Sequence, residues 1–308
     1  MGNLALISSR DVGGPAAVVA ATADARGQRV VLRQQVVGAE WLETTYRLPE
    51  GVGHLEITNR LAKNSTWEKE SAFFAFPFNS SHPTVLEESA GGLTGPQQEQ
   101  VPGGAEYMRA IRHFVAIEDS AGSIGWATAE VPLVEVGTLA LPYVPFTSTL
   151  SENEPGTIFS WVHNNIWDTN FPVEQSFEMS FRYRVAASGQ DAPSLAAAVA
   201  ASLVQPLRAV LAEAPDANAP TSSSLIQSSD PRVQLIGLQH QADDTIVVRL
   251  RSNALSGLSA TLDLPAHVTR VTTCTYLGDV GEELAMEGST VSVAFRGSGV
   301  QALLLTLG

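Results

Sequence analysis

The chain is poor in the residues that most chemistry requires: it has one cysteine, Cys274, and two lysines, Lys63 and Lys69, in 308 residues. A single cysteine excludes an intrachain disulfide framework and any zinc site built from clustered thiolates. Cys274 falls in an alternating apolar pattern at 271–276, which predicts a buried, unreactive thiol. Two lysines and scattered arginines form no basic stripe, and the net charge is −14 with a pI near 4.8. A surface that neutralises phosphates needs clustered cations, so a nucleic-acid partner is not expected. A neutral ligand such as a glycan suits this balance better than an anion. No basic region leads into a long apolar run at the N-terminus, and no run is long enough to span a bilayer. The expectation is a cytoplasmic protein with no membrane partner.

Catalytic motifs are missing as well. The six histidines, His54, His82, His113, His163, His240 and His267, show none of the close spacings of a metal site. There is no Gly-x-Ser-x-Gly elbow, no P-loop and no Gly-x-Gly-x-x-Gly opening a helix. Gly297-Ser298-Gly299 reads as a tight turn between strands. Glycosidases need two carboxylates across the scissile bond. The neighbouring acids here are Glu68 with Glu70, Glu87 with Glu88, Glu118 with Asp119, Glu152 with Glu154, and Asp168 with Glu174. Such pairs in turns are expected to be solvated. Glu70 and Asp168 differ in being flanked by aromatic residues, and there a hydrogen-bonded structural role is expected.

What the chain has in abundance is period-two patterning. Residues 29–37, 41–48, 54–61 and 67–78 read as strands, and 174–184 alternates through Phe177, Met179, Phe181 and Tyr183. The run Phe73-Phe74-Ala75-Phe76-Pro77-Phe78 is apolar on both faces, which predicts a central place in a two-layer packing. Residues 87–104 read as a long loop. Many strands at regular spacing describe a large all-β sandwich. An alanine-rich, helix-prone stretch at 195–203 and a Pro/Ser-rich stretch follow, and then a second all-β pattern. The expected division is a large sandwich at 1–187, a helical and Pro/Ser linker at 188–222, and a small β-sandwich at 223–308.

One segment concentrates chemistry. Residues 160–171, Ser-Trp-Val-His-Asn-Asn-Ile-Trp-Asp-Thr-Asn-Phe, hold two tryptophans, three asparagines and a histidine. Flat rings suit sugar faces and neutral amides suit hydroxyls, so Trp161, Asn164, Asn165, Trp167 and Asn170 are the carbohydrate-binding candidates. The competing expectation is a strand end whose tryptophans fill core and whose asparagines hold an irregular turn. An enzyme in its own right would need His163 to converge with Asp168 or Glu70.

This segment, followed by Pro172, Gln175 and Phe181-Arg182-Tyr183, resembles the C-terminal β region of the glycoside hydrolase family 38 α-mannosidases. That family has an Asn-x-Trp-x-Thr-Asn segment leading to a Gln and a Phe-Arg-Tyr strand. Thr45-Tyr-Arg-Leu-Pro49, Leu61-Ala-Lys63, the Glu70 to Phe78 run and Pro132-Leu133 are similar to it too. His113-Phe114 departs from the expected x-Trp. The resemblance implies a galactose mutarotase-like β-supersandwich, N-terminally truncated here, followed by a small sandwich. In the family, an N-terminal (β/α)₇ barrel binds zinc and carries the nucleophile. The implied chain therefore has no catalytic or metal residue and no cofactor of its own. Its implied partners are the upstream catalytic barrel, a mannose-containing glycan and other copies in a homo-oligomer. Its implied role is to support the barrel and shape the substrate cleft, with a standalone carbohydrate-binding module as the alternative.

Overall fold

The computed structural model describes residues 11–80, 82–95, 101, 108–140, 154–166, 173–211, 222–242 and 244–308. The large β region contains β1 (Ala17–Asp24), β2 (Gly27–Gln34), β3 (Ala39–Pro49), β4 (Leu55–Lys63), β5 (Ser71–Pro77), β6 (Thr84–Glu88), β7 (Leu93–Thr94), β8 (Arg109–Ala110), β9 (Phe114–Asp119), β10 (Gly122–Thr128), β11 (Leu133–Gly137), β12 (Glu154–Asn164) and β13 (Phe177–Ser188). Nine of these form one antiparallel sheet in the order β1-β2-β3-β4-β13-β10-β9-β6-β7. The other four form a smaller sheet, β5-β12-β11-β8, that packs on it. The fold is an all-β sandwich, as the alternation implies.

Aromatic rings hold the two sheets together. Phe76 of the small sheet lies 4.8 Å from Tyr183 and 5.3 Å from Trp126 of the large one, ring centre to ring centre. Phe74 meets Phe181 edge-on at 5.7 Å. Removing each such ring from water contributes about 1.5–3 kcal/mol, and the tilted contacts suit the ring quadrupoles. The tyrosine hydroxyl is not orphaned, because Ser160 Oγ lies 3.0 Å from Tyr183 Oη.

Two expectations for the 67–78 stretch change. The strand begins at Ser71, and residues 64–70 form a loop. The Thr66 hydroxyl accepts a hydrogen bond from the Glu68 amide, which turns the chain before extension can start. β5 is also an edge strand, not a central one. Its double-sided apolar pattern arises because Phe74 and Phe76 face the large sheet while Phe73 stacks on Trp161 on the other side. The edge position explains how Pro77 is tolerated.

The helix α1 (Ala192–Val204) is more than a connector. Asp191 caps it, accepting from the Ser194 amide, and Pro193 occupies the first turn. Its small residues Ala196, Ala197 and Ala200 bury themselves against Phe114, Ala116 and Ala127 on the outer face of the large sheet. A β-carbon on Gly125 would lie 2.7 Å from Ala196 Cα, so the helix and β10 approach as closely as they do because that residue is glycine. Among the described residues no helix is long and apolar enough to cross a membrane.

The terminal region is a second sandwich. Gln227–Ser228, Leu258–Asp263, Thr290–Phe295 and Met286–Glu287 make one sheet, in that order. Val233–Ala242, Thr245–Ser252, Gly299–Leu307, Val268–Cys274 and Val280–Leu284 make the other. Leu250, Leu262, Val271, Val293 and Leu303 fill the space between. Cys274 is half-buried, not buried as expected, because its strand pairs with the exposed edge strand Val280–Leu284. The β6–β7 hairpin, within the stretch expected to be loop, meets this sandwich through Glu88 and Arg251 and through Ser298 Oγ, which accepts from the Leu93 amide.

Candidate functional site

The 160–171 segment begins inside β12. Trp161 pairs with Phe73 of β5, and the register then shifts so that His163, not Val162, pairs with Ala72. Such a bulge re-aims side chains. Val162 packs into the inter-sheet core, while the His163 ring sits 5.9 Å from that of Phe177. There it meets Glu70, whose Oε1 lies 3.6 Å from His163 Nε2.

Lys63, the last residue of β4, completes the cluster. Its Nζ lies 2.5 Å from Glu70 Oε1 and donates to the Asn64 carbonyl at 2.6 Å. Gly38 closes one side in a left-handed turn (φ 77°), and a β-carbon there would come within 3.0 Å of Glu70 Oε2. Burial lowers the His163 pKa first and the Lys63 charge lowers it further, against a smaller opposing pull from Glu70. At neutral pH the imidazole is therefore uncharged, and Glu70 takes its counter-charge from Lys63. His163 and Glu70 come together, one of the two pairings the enzyme reading named, and Lys63 holds the same carboxylate oxygen as an ion pair. Among the described residues no group of three or more His, Cys, Asp or Glu is placed to bind a metal ion.

The carbohydrate-binding candidates are placed as follows. Trp161 is 5% exposed, its ring stacked on Phe73 at 5.3 Å and its indole N–H donating to the His163 carbonyl. Asn164 Oδ1 accepts from Ser71 Oγ and from the Ile166 amide. Asn165 is buried and staples two loops: Oδ1 accepts from the Glu70 amide at 2.6 Å, and Nδ2 donates to the Glu68 carbonyl at 2.7 Å and the Val173 carbonyl at 3.4 Å. Trp167, Asn170 and Asp168 lie outside the described residues.

The acid pairs also need revision. Glu87 and Glu88 are buried, not solvated, and pair with Arg109 and Arg251. Burial raises the Glu87 pKa despite the Arg109 charge 2.8 Å away. Glu118 is exposed, and Asp119 accepts from Ser80 Oγ and the Ala121 amide, which hold its pKa low. Two features of the site were not foreseen. Lys63 lies beyond the strand expected at 54–61 and carries no site signal in the sequence; the fold extends the strand to it and brings it to Glu70. Trp67 was assigned to a strand; the Asn64-Ser65-Thr66 run before it was the available turn signal.

No protein-family model matches the chain, and no curated protein matches it. Solved structures do. A protein of glycosyl hydrolase family 38 from Enterococcus faecalis superposes with a TM-score of 0.69 at 12% identity, over 95% of this chain and 36% of its own. An alpha-mannosidase from Enterococcus faecalis V583 superposes with a TM-score of 0.68 at 13% identity, over 95% of this chain and 35% of its own. This chain thus shares the fold of about a third of each of those proteins.

Proposed function

We propose that this chain is the C-terminal β region of a family 38 α-mannosidase-like glycoside hydrolase, supporting the catalytic part and shaping its cleft without being catalytic alone. The observation that carries this reading is the fit of 95% of the chain, both sandwiches included, onto about a third of two such proteins. The 160–171 segment agrees with it, since its described polar atoms stabilise architecture: Asn165 ties residues 68–70 to Val173, and Trp161 backs β5. The Lys63, Glu70 and His163 cluster fits a supporting role too. Among the described residues it holds one acid, ion-paired with Lys63, and a neutral imidazole, without the second carboxylate that glycoside hydrolysis needs. In this reading zinc and the nucleophile belong to an upstream catalytic barrel, the substrate is a mannose-containing glycan, and the chain contributes to homo-oligomer contacts.

The test is an assay of the purified chain for p-nitrophenyl α-mannoside hydrolysis, with and without added zinc. The assay is then repeated with a polypeptide carrying the catalytic barrel encoded in the same locus. No turnover by the chain alone and zinc-dependent turnover by the pair are expected. Robust hydrolysis by the chain alone would overturn the supporting role, and an inactive pair would overturn the mannosidase assignment.

A further inference from the structure

We propose that Trp67 is a stacking platform for a pyranose ring, placing a neutral-saccharide contact on the loop of residues 64–70 and not on the face of Trp161. The other described tryptophans are occupied. Arg33 and Arg60 lie over the Trp41 ring at 5.2 and 5.5 Å, Trp126 is fully buried, and Trp161 is packed on Phe73. Trp67 is 72% exposed, and among the described residues no ring or guanidinium is stacked on it.

Its loop is nevertheless held firmly. The Asn165 side chain binds the Glu68 carbonyl and the Glu70 amide, and the Asn165 amide donates to the Glu70 carbonyl at 3.1 Å. On the other flank Ser65 Oγ donates to Glu174, and Thr66 Oγ1 accepts from the Glu68 amide. A buried asparagine and two hydroxyls thus order a loop whose one large apolar side chain is left facing water. A ring presented this way loses little freedom on binding, which is the benefit of preorganisation.

The surroundings select the ligand. Asn64, Ser65, Glu68 and Lys69, its neighbours along the loop, are exposed as well, so the loop offers one flat apolar face beside amide, hydroxyl and charged groups. That complements the C–H face and hydroxyl rim of a pyranose. A protein partner would call for a contiguous apolar patch with a polar border. The net charge of −14 disfavours an anionic ligand. The proposal rests on the mannosidase reading only for which sugar is met, a mannoside; the stacking chemistry stands without it.

The test uses the full chain labelled with ¹⁵N, following the indole N–H signals. The Trp67 signal is identified by its loss in Trp67→Phe. Methyl α-mannoside, an α-linked mannobiose and cellobiose are titrated separately. The Trp67 indole and the amides of residues 64–70 are expected to shift with a mannoside and to saturate in the millimolar range. Trp67→Ala should weaken binding at least about tenfold while leaving the thermal midpoint unchanged, because the ring is exposed. Shifts with cellobiose but not with mannosides would keep the stacking site and remove its tie to the mannosidase reading. No Trp67 shift with any of the three sugars would overturn the proposal, as would undiminished binding in Trp67→Ala. Shifts caused only by the catalytic-barrel polypeptide would overturn it too, by assigning the ring to a protein contact. An inactive pair in the mannosidase assay, with Trp67 shifts intact, would remove the parent reading and leave the saccharide site.

Discussion

The Glu88 carboxylate of the large sandwich and the Arg251 guanidinium of the small one form a buried ion pair that joins the two bodies. Glu88 is 1% exposed, and Arg251 also donates to Gln234 at 3.0 Å and lies over the Phe114 ring at 5.6 Å. His113 Nδ1 stands 3.4 Å from the other Glu88 oxygen, but burial and Arg112 lower its pKa, so Arg251 supplies the counter-charge at neutral pH. Breaking a buried pair by removing one partner costs about 3–5 kcal/mol, because the other charge is left uncompensated. Arg251→Ala should therefore destabilise the chain by about that amount. Urea unfolding, now expected as one transition, should split into two as the sandwiches uncouple. A single unshifted transition would show that the pair does not join them.

How much of this was legible in the sequence depended on whether the signal was local. The alternation through Phe177, Phe181 and Tyr183 announces a half-buried strand because side chains alternate across a sheet wherever they sit. The alanine-rich run at 195–203 announces a helix for equally local reasons, although the Asp191 cap that starts it earlier was not read. Glu87 and Glu88 were misread because their partners, Arg109 and Arg251, are 22 and 163 residues away. Nothing near an acid reveals an arginine brought to it by another sandwich. The site divides in the same way. The pairing of His163 with Glu70 was legible as one option, whereas the bulge at Val162 that aims His163 has no composition cue.

The contact between Gly125 and α1 gives a second prediction. A β-carbon at that position would sit 2.7 Å from Ala196 Cα and 2.9 Å from its amide nitrogen, against backbone that cannot rotate away. Gly125→Ala should cost about 1–3 kcal/mol by overpacking. The loss should appear as faster hydrogen exchange along 192–204 with little change in the terminal sandwich. Equal loosening of both sandwiches would contradict this placement of the helix.

Asn165 carries the third. Replacing it with alanine removes the acceptor for the Glu70 amide and the donor for the Glu68 carbonyl. These groups lie beside a buried residue, and unsatisfied polar groups cost about 1–3 kcal/mol each. Asn165→Ala should lower stability by about 2–4 kcal/mol. It should also raise exchange at the Glu70 amide and blunt any saccharide response of Trp67. Asn165→Asp keeps the acceptor and should preserve protection at Glu70 better than alanine does.

Glu135 makes the pH dependence predictable. It is 0% exposed on β11, with Oε2 accepting from the Ala140 amide at 2.7 Å and Oε1 without a partner. Burial raises its pKa from the ordinary carboxylate value to about 8, outweighing that one hydrogen bond. The folded chain therefore keeps a proton that the unfolded chain has already released. Folding takes up this proton between the ordinary carboxylate value and about pH 8, so stability should fall as pH rises through that interval and level off above it. At roughly 1.4 kcal/mol per pKa unit, the loss is at most about 5 kcal/mol. Glu135→Gln cannot ionise and keeps an acceptor for Ala140. It should match the parent chain in acid, where Glu135 is protonated in both states, and exceed it above pH 8. Urea midpoints across the range from pH 4 to 9 check this, and parallel curves for the two proteins would mean that Glu135 does not titrate with folding.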